Sequence, residues 1–139
     1  MTELNSSHTS KSTPPLRILP VLETCISAYK LWQGYFRLFT KETKYTLGEK
    51  IDALLVESIE AILTASFLSK EQKRPFVHRA IIKLDTAKVF LRVAWELQSL
   101  DHTKYATLSA PLEEVGRQLG GWHNQLIKQN STDKKSVEK

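Results

Sequence analysis

The chain has 139 residues, of which 41% are hydrophobic and 25% are charged, the composition of one globular domain with a buried core. Its formal net charge of +5 suits a polyanionic partner, although many basic domains bind none. Five glycines and five prolines are too few for a many-turned β fold, and a lone cysteine excludes an internal disulfide.

The first helix is predicted to run from Pro20 to about Thr40, because proline suits the first turn of a helix. Before it, the polar residues 1–16 are expected to form a disordered tail, and residues 17–128 a single helical domain. Apolar residues at steps of three and four predict the inward face of this helix: Leu22, Cys25, Ile26, Tyr29, Trp32, Phe36 and Phe39.

The second helix is predicted to begin at the TLGE motif, in which Thr46 and Glu49 have the spacing of a capping box. A third helix is expected between about Ser69 and Leu100. Because Pro75 lies too deep for a regular start at Ser69, the regular part of this helix is expected from about Arg74.

The fourth helix is predicted from about Asp101 to Lys128, and Pro111 is expected to kink it or to separate its first turns. Residues 129–139 are polar and are expected to form a disordered tail. No segment has the period of a strand. Four helices with short connections predict an all-α fold, an up-and-down four-helix bundle.

Three of the five glycines lie in the fourth helix, at Gly116, Gly120 and Gly121. Glycine costs a helix roughly 1 kcal/mol relative to alanine. A neighbouring helix in backbone contact with Gly116 and Gly120 would offset this cost, and Gly121 could instead end the helix. Either explanation makes these glycines structural and not part of a ligand site.

The third helix has more apolar surface than one core requires. One face carries Val77, Ala80, Leu84, Ala87, Leu91, Ala94 and Trp95, and a second carries Ile82, Val89, Phe90, Val93 and Leu97. Two interpretations are open: a wide stripe packed within the monomer, or an oligomer interface. The candidate interface residues are Leu31, Tyr35, Leu38, Ile82, Val89, Phe90 and Val93.

Charged residues also segregate on the predicted helices. Glu49, Glu57 and Glu60 share one side of the second helix, and they could pair with basic stripes of another subunit. Basic residues left over could contact phosphates, although most such stripes are solvated surface. The candidate nucleic-acid-binding residues are Lys30, Arg37, Lys41, Lys44, Arg79, Lys83, Lys88, Arg92 and Arg117.

Residues that could support catalysis are few. The four histidines are scattered, without the i, i+4 spacing of a helical metal pair, and Cys25 lies on a core face. We therefore expect no catalytic residue, no metal and no cofactor. Without a long apolar run or a signal-peptide core, we expect a cytoplasmic protein that does not contact a membrane.

Two motifs and the helix between them resemble a known family. The stretches TKYTLGEKI (43–51) and EEVGRQLGGW (113–122), together with the long third helix, resemble the accessory variability determinant (Avd) proteins of diversity-generating retroelements. The resemblance covers roughly residues 20–126. A related group, the proteins encoded in intervening sequences of bacterial 23S ribosomal RNA genes, shares the fold and part of the pattern.

The resemblance implies a four-helix bundle that assembles as a homopentamer with a basic surface around a central channel. It also implies two partners, a reverse transcriptase and its template RNA, possibly with DNA, and a non-catalytic part in mutagenic complementary-DNA synthesis. Because two basic surfaces repel, the acidic side of the second helix is the expected contact with the polymerase. The alternative is a structural oligomer of the intervening-sequence type without a polymerase partner.

Overall fold

The computed structural model describes the backbone of residues 19–138 and the side chains of residues 19–131. This range contains four long helices and no strand: α1 (Pro20–Phe36), α2 (Glu49–Ser66), α3 (Lys70–Glu96) and α4 (His102–Glu138). Helices α1 and α3 each pack against both α2 and α4. The predicted four-helix bundle is confirmed, whereas the expected tail of residues 1–16 lies outside the described residues.

The connection from α1 to α2 differs from the prediction. Helix α1 ends at Phe36, before the expected Thr40, and a helical turn at Lys41–Thr43 continues as a π-helical turn, Lys44–Gly48, into α2. The predicted capping box is wrong, because the chain is already helical where that cap would lie. The Thr46 hydroxyl instead donates a hydrogen bond to the carbonyl of Glu42, at 2.8 Å.

Three aromatic side chains close this end of the bundle. The ring of Trp32 stacks on that of Phe36 with centroids 5.2 Å apart, and Phe39 meets both rings edge-on. Gly48 is buried beneath them, and a Cβ atom there would lie 2.5 Å from Cε1 of Phe36. Glycine at this position therefore lets the π-helical turn approach the aromatic cluster.

Helix α3 begins directly after Ser69, which has an extended conformation, so the expected start near Arg74 is wrong. Pro75 lies inside the helix and removes the N–H that would bond to the carbonyl of Glu71. Both residues are exposed, so water can satisfy that carbonyl. The cost of an early proline is therefore small enough for the helix to begin before it.

Helix α4 is continuous through Pro111 and extends to Glu138, so the predicted separation of its first turns is not observed. The predicted end of the helix at Lys128 is too early, whereas the boundary of the folded domain at residue 128 and the disordered tail after it stay predictions. No glycine or proline follows Gly121, so nothing in the sequence interrupts the helix there. Asp101 caps the start, where its Oδ1 accepts the backbone N–H of Lys104 at 2.8 Å.

The glycines of α4 are not where helices crowd together. A Cβ atom at Gly116 would lie 3.8 Å from side-chain atoms of Leu84 and Lys88, which is ordinary contact, and one at Gly120 or Gly121 would meet nothing within 4 Å. The predicted backbone contact is wrong within one chain, and the helix does not end at Gly121. The glycine at which the backbone is packed closely against other residues is Gly48.

The core follows the predicted helical faces. The first apolar face of α3 is buried except for Trp95, which is half-buried and stacks on Tyr105 with centroids 4.9 Å apart. On α1, Leu22, Cys25 and Trp32 are buried, and so is Phe39 beyond its end. The other predicted core positions of this segment are half-buried: Ile26, Tyr29 and Phe36.

Candidate nucleic-acid interface

Four of the predicted phosphate-binding residues form ion pairs within the chain. Two pairs join neighbouring helices: Lys83 with Glu57 and Lys88 with Glu113, each at 3.0 Å. Two lie along one helix: Arg92 with Glu96 at 3.0 Å, and Arg117 with Glu114. An exposed pair contributes little to stability, but its carboxylate cancels most of the positive potential that a phosphate would meet.

The other five predicted residues have no carboxylate partner in the described part of the chain: Lys30, Arg37, Lys41, Lys44 and Arg79. Two of them lie over aromatic rings. The Nζ atom of Lys44 is 5.8 Å from the centroid of Phe36, and the guanidinium carbon of Arg79 is 5.0 Å from that of Phe76. A cation held over a ring face keeps its charge and its outward donors.

Three of these five residues lie close together along the chain, in the segment that links α1 to α2. Arg37 directly follows α1, Lys41 begins the helical turn, and Lys44 begins the π-helical turn. Lys50, which sequence analysis did not select, is exposed in the first turn of α2. We name Arg37, Lys41, Lys44 and Lys50 the connection cluster; it is the candidate surface for phosphate contacts.

The acidic side of α2 faces basic residues of the same chain. A surface cavity of about 560 Å³ is lined by Glu57 and Glu60 of α2 and by Arg79 and Lys83 of α3, among others. Glu57 pairs with Lys83 within one chain, and pairing of the other acidic residues with basic stripes of another subunit stays a prediction. Glu49 and Glu60 are exposed and form no ion pair in the described residues.

The predicted oligomer interface divides into exposed and packed residues. Ile82 is 50% exposed, Val89 60% and Leu38 68%, and Leu97 beyond them is 63% exposed. The other four predicted residues are half-buried. Leu31, Tyr35 and Phe90 pack against the core, and the fourth is Val93. Ile82, Val89 and Leu97 therefore form an apolar stripe, on α3 and just beyond its end, that one chain leaves uncovered.

A polar cluster joins α1 to α2 beside the aromatic cluster. Oδ1 of Asp52 accepts hydrogen bonds from the Trp32 indole N–H at 3.1 Å and from the Gln33 amide at 2.8 Å. The same amide donates to the Tyr29 hydroxyl at 2.9 Å. Partial burial raises the pKa of Tyr29, and its hydrogen bond with Asp52 raises it further. These bonds fix α1 against α2 and position the helix end that leads into the connection cluster.

Two histidines that are far apart in the sequence meet in the structure. The rings of His78 on α3 and His123 on α4 have centroids 5.5 Å apart. They line a surface cavity of about 360 Å³ with Arg74, Pro75 and Ile127. Partial burial lowers the pKa of His123, and the positive charges of His78 and Arg74 lower it further. The description of the histidines as scattered is thus wrong for this pair.

The described residues contain no group of three or more His, Cys, Asp or Glu side chains placed to hold a metal ion. Cys25 is 1% exposed, and its burial raises the pKa of the thiol to about 11, so the thiol is protonated at neutral pH. Over the same part of the chain, every helix is too short or too polar to cross a lipid bilayer.

Comparison with known proteins identifies one family. The model of the bAvd-like family matches residues 26–126, which extend from the first turns of α1 into the second half of α4. No curated protein matches the sequence. The matched region includes Arg37, Lys41, Lys44 and Lys50, and it includes both His78 and His123.

Proposed function

Because the chain belongs to the bAvd-like family, we propose that it is a nucleic-acid-binding accessory subunit of a diversity-generating retroelement reverse transcriptase. In this role it supports mutagenic complementary-DNA synthesis without a catalytic centre of its own. The observation that carries the proposal is the family match over most of the helical bundle. The unpaired basic residues of the connection cluster support it.

The proposed mechanism is positioning. A bundle that supplies no reacting group contributes to synthesis by holding template RNA beside the polymerase, which lowers the entropy cost of bringing them together. Arg37, Lys41, Lys44 and Lys50 would contact phosphates, since no carboxylate of the described residues pairs with them. Recognition by phosphate contacts gives affinity with little sequence preference.

Salt-dependent binding tests this proposal. Fluorescence anisotropy with single-stranded RNA should give a binding constant that falls steeply with salt, as counterions are released. Replacing Arg37, Lys41 and Lys44 together with alanine should reduce the slope of log K against log salt by roughly 0.7 for each phosphate that the variant no longer neutralises. Equal affinity and slope for this variant and the wild type would reject the cluster as the RNA-binding surface.

A charge-neutral control separates the cluster from basic residues in general. Replacing Arg92 and Glu96 together with alanine removes an exposed ion pair and leaves the net charge unchanged. This control should retain the wild-type affinity and slope, because its arginine is already neutralised by a carboxylate. A decrease as large as that of the cluster variant would show that paired residues contact RNA too.

We further propose that the exposed stripe of α3 is covered by a second copy of the chain, in a homopentamer. Ile82, Val89 and Leu97 are each at least half exposed in one chain, which costs free energy in water.

Val89→Asp should dissociate the assembly and leave its helical circular dichroism unchanged. Phe90→Asp is a poorer test, because Phe90 packs against the core. Light scattering should report several times 15.9 kDa for the wild type; a monomer would reject this assembly.

A further inference from the structure

The cavity lined by Arg74, His78 and His123 contains histidines, which the connection cluster lacks. Arg74 and His78 are four residues apart on α3 and share a face, and His123 approaches them from α4. Pro75 and Ile127 complete the lining. Two helices therefore bring one guanidinium group and two imidazole rings to a single opening on the surface.

No carboxylate is among the described residues that line this cavity. The charged and titratable residues that line the cavity are Arg74, His78 and His123, and none of them forms an ion pair in the part of the chain that the structure describes. Protonation of His123 places a further positive charge near Arg74 and His78. The lowered pKa of His123 is the result of partial burial and of this repulsion.

An anion bound in the cavity would favour the protonated form of His123, which burial and repulsion disfavour in the free protein. It would cancel the repulsion among the three groups, and each protonated ring would offer it an N–H donor beside the guanidinium. A phosphate group suits this set because it has several acceptor oxygens for donors that arrive from different directions. The volume of about 360 Å³ leaves room for the group and for the chain that carries it.

We infer that Arg74, His78 and His123 bind a phosphate of the nucleic acid and that His123 takes up a proton as it binds. The inference rests on the proposed nucleic-acid-binding function and adds a second contact surface, which is sensitive to pH. The connection cluster consists of lysine and arginine, whose charges do not change near neutral pH. Of these two surfaces, the histidine site is the one that makes RNA affinity depend on pH in that range.

The sign of the effect follows from linkage. If bound phosphate raises the pKa of His123, the protonated protein must bind phosphate more tightly by the same factor, which is tenfold for each unit of pKa. The gain is complete at a pH below the pKa of the free protein. It disappears as the pH rises through the pKa of the complex. We expect RNA affinity to increase several-fold between about pH 7.5 and about pH 6, up to about tenfold for each unit by which phosphate raises the pKa of His123.

The test compares single-stranded oligouridylate binding at these two pH values and constant ionic strength. The double variant His78→Asn with His123→Asn should lose the increase in affinity at the lower pH. The control His102→Asn changes an exposed histidine at the start of α4, beside Trp95, and should keep the increase. A wild-type affinity without pH dependence, or an increase that survives in the double variant, would overturn the inference.

A second measurement separates this inference from the proposed function. Nuclear magnetic resonance of the full chain follows the ring proton of His123 during a pH titration, in inorganic phosphate and in chloride of equal ionic strength. A higher pKa of His123 in phosphate than in chloride, without such a difference in the variant Arg74→Gln, would support the site. If RNA bound at neither pH, the proposed function would be rejected while the phosphate result would still support the site. Equal pKa values in the two salts would overturn the site. A response to inorganic phosphate with pH-independent RNA binding would overturn its assignment to nucleic acid.

Discussion

Alanine at Gly48 should destabilise the fold even though alanine is the better helix former. The added Cβ atom would lie 2.5 Å from Cε1 of Phe36 and 3.3 Å from Cδ2 of Phe39. The Phe36 ring cannot move freely, because it stacks on Trp32 and meets Phe39 edge-on. Relief of the contact must therefore disturb the aromatic cluster or displace the π-helical turn.

The size of the effect follows from two opposing terms. Forcing an extra carbon into a packed region costs about 1–3 kcal/mol. The helix gains up to about 1 kcal/mol from replacing glycine with alanine. Gly121→Ala provides the matched control, because its Cβ atom meets nothing within 4 Å and only the favourable term applies. The two variants should differ in the free energy of unfolding by about 1–3 kcal/mol.

Urea unfolding followed by circular dichroism measures this difference. Both variants must be compared at the same protein concentration, since subunit association would make the apparent stability concentration-dependent. Gly121→Ala should unfold at higher urea than the wild type, and Gly48→Ala at lower urea than Gly121→Ala. If Gly48→Ala stabilises the protein as much as Gly121→Ala does, the close packing at the α1–α2 connection is not a real constraint.

Two further predictions concern titratable groups. With its pKa raised to about 11 by burial, the Cys25 thiol should react with iodoacetamide far more slowly in the folded protein than in urea at the same mildly alkaline pH; equal rates would contradict its burial. The backbone N–H of Lys104 holds the pKa of Asp101 below its ordinary value, so the capping contribution should be present above the unfolded-state pKa and should disappear as the pH falls through the folded-state pKa. Asp101→Asn should keep the cap and lose this pH dependence of the melting temperature; an unchanged pH dependence would contradict the assignment.

The sequence was sufficient for the bundle and for its core faces, because both follow from helical periodicity. The inner face of α3, from Val77 to Ala94, was predicted correctly for this reason. The start of α2 was not predicted correctly, because a capping box is a local sequence pattern. Whether the pattern forms a cap depends on whether the preceding residues are already helical. Here the packing of Phe36 and Phe39 around Gly48 accompanies a chain that is helical from Lys41.

The candidate sites depended more strongly on contacts between helices. Basic residues could be named from the sequence, but the pairing of Lys83 with Glu57 depends on the register of α3 against α2. The meeting of His78 with His123 likewise requires the register of α3 against α4. The crowded glycine was misplaced in α4 because a Cβ contact depends on tertiary neighbours and not on local spacing.

Association with a reverse transcriptase tests the proposed function most directly. The tagged chain should be expressed with the reverse transcriptase of a diversity-generating retroelement, purified, and assayed for the polymerase after nuclease treatment and over a range of salt. We expect the polymerase to co-purify. We also expect Glu49→Lys with Glu60→Lys, which changes exposed acidic residues outside the Lys83–Glu57 pair, to weaken this association more than it weakens RNA binding. Absence of the polymerase at every salt concentration would contradict the proposed function and favour a structural oligomer without a polymerase partner.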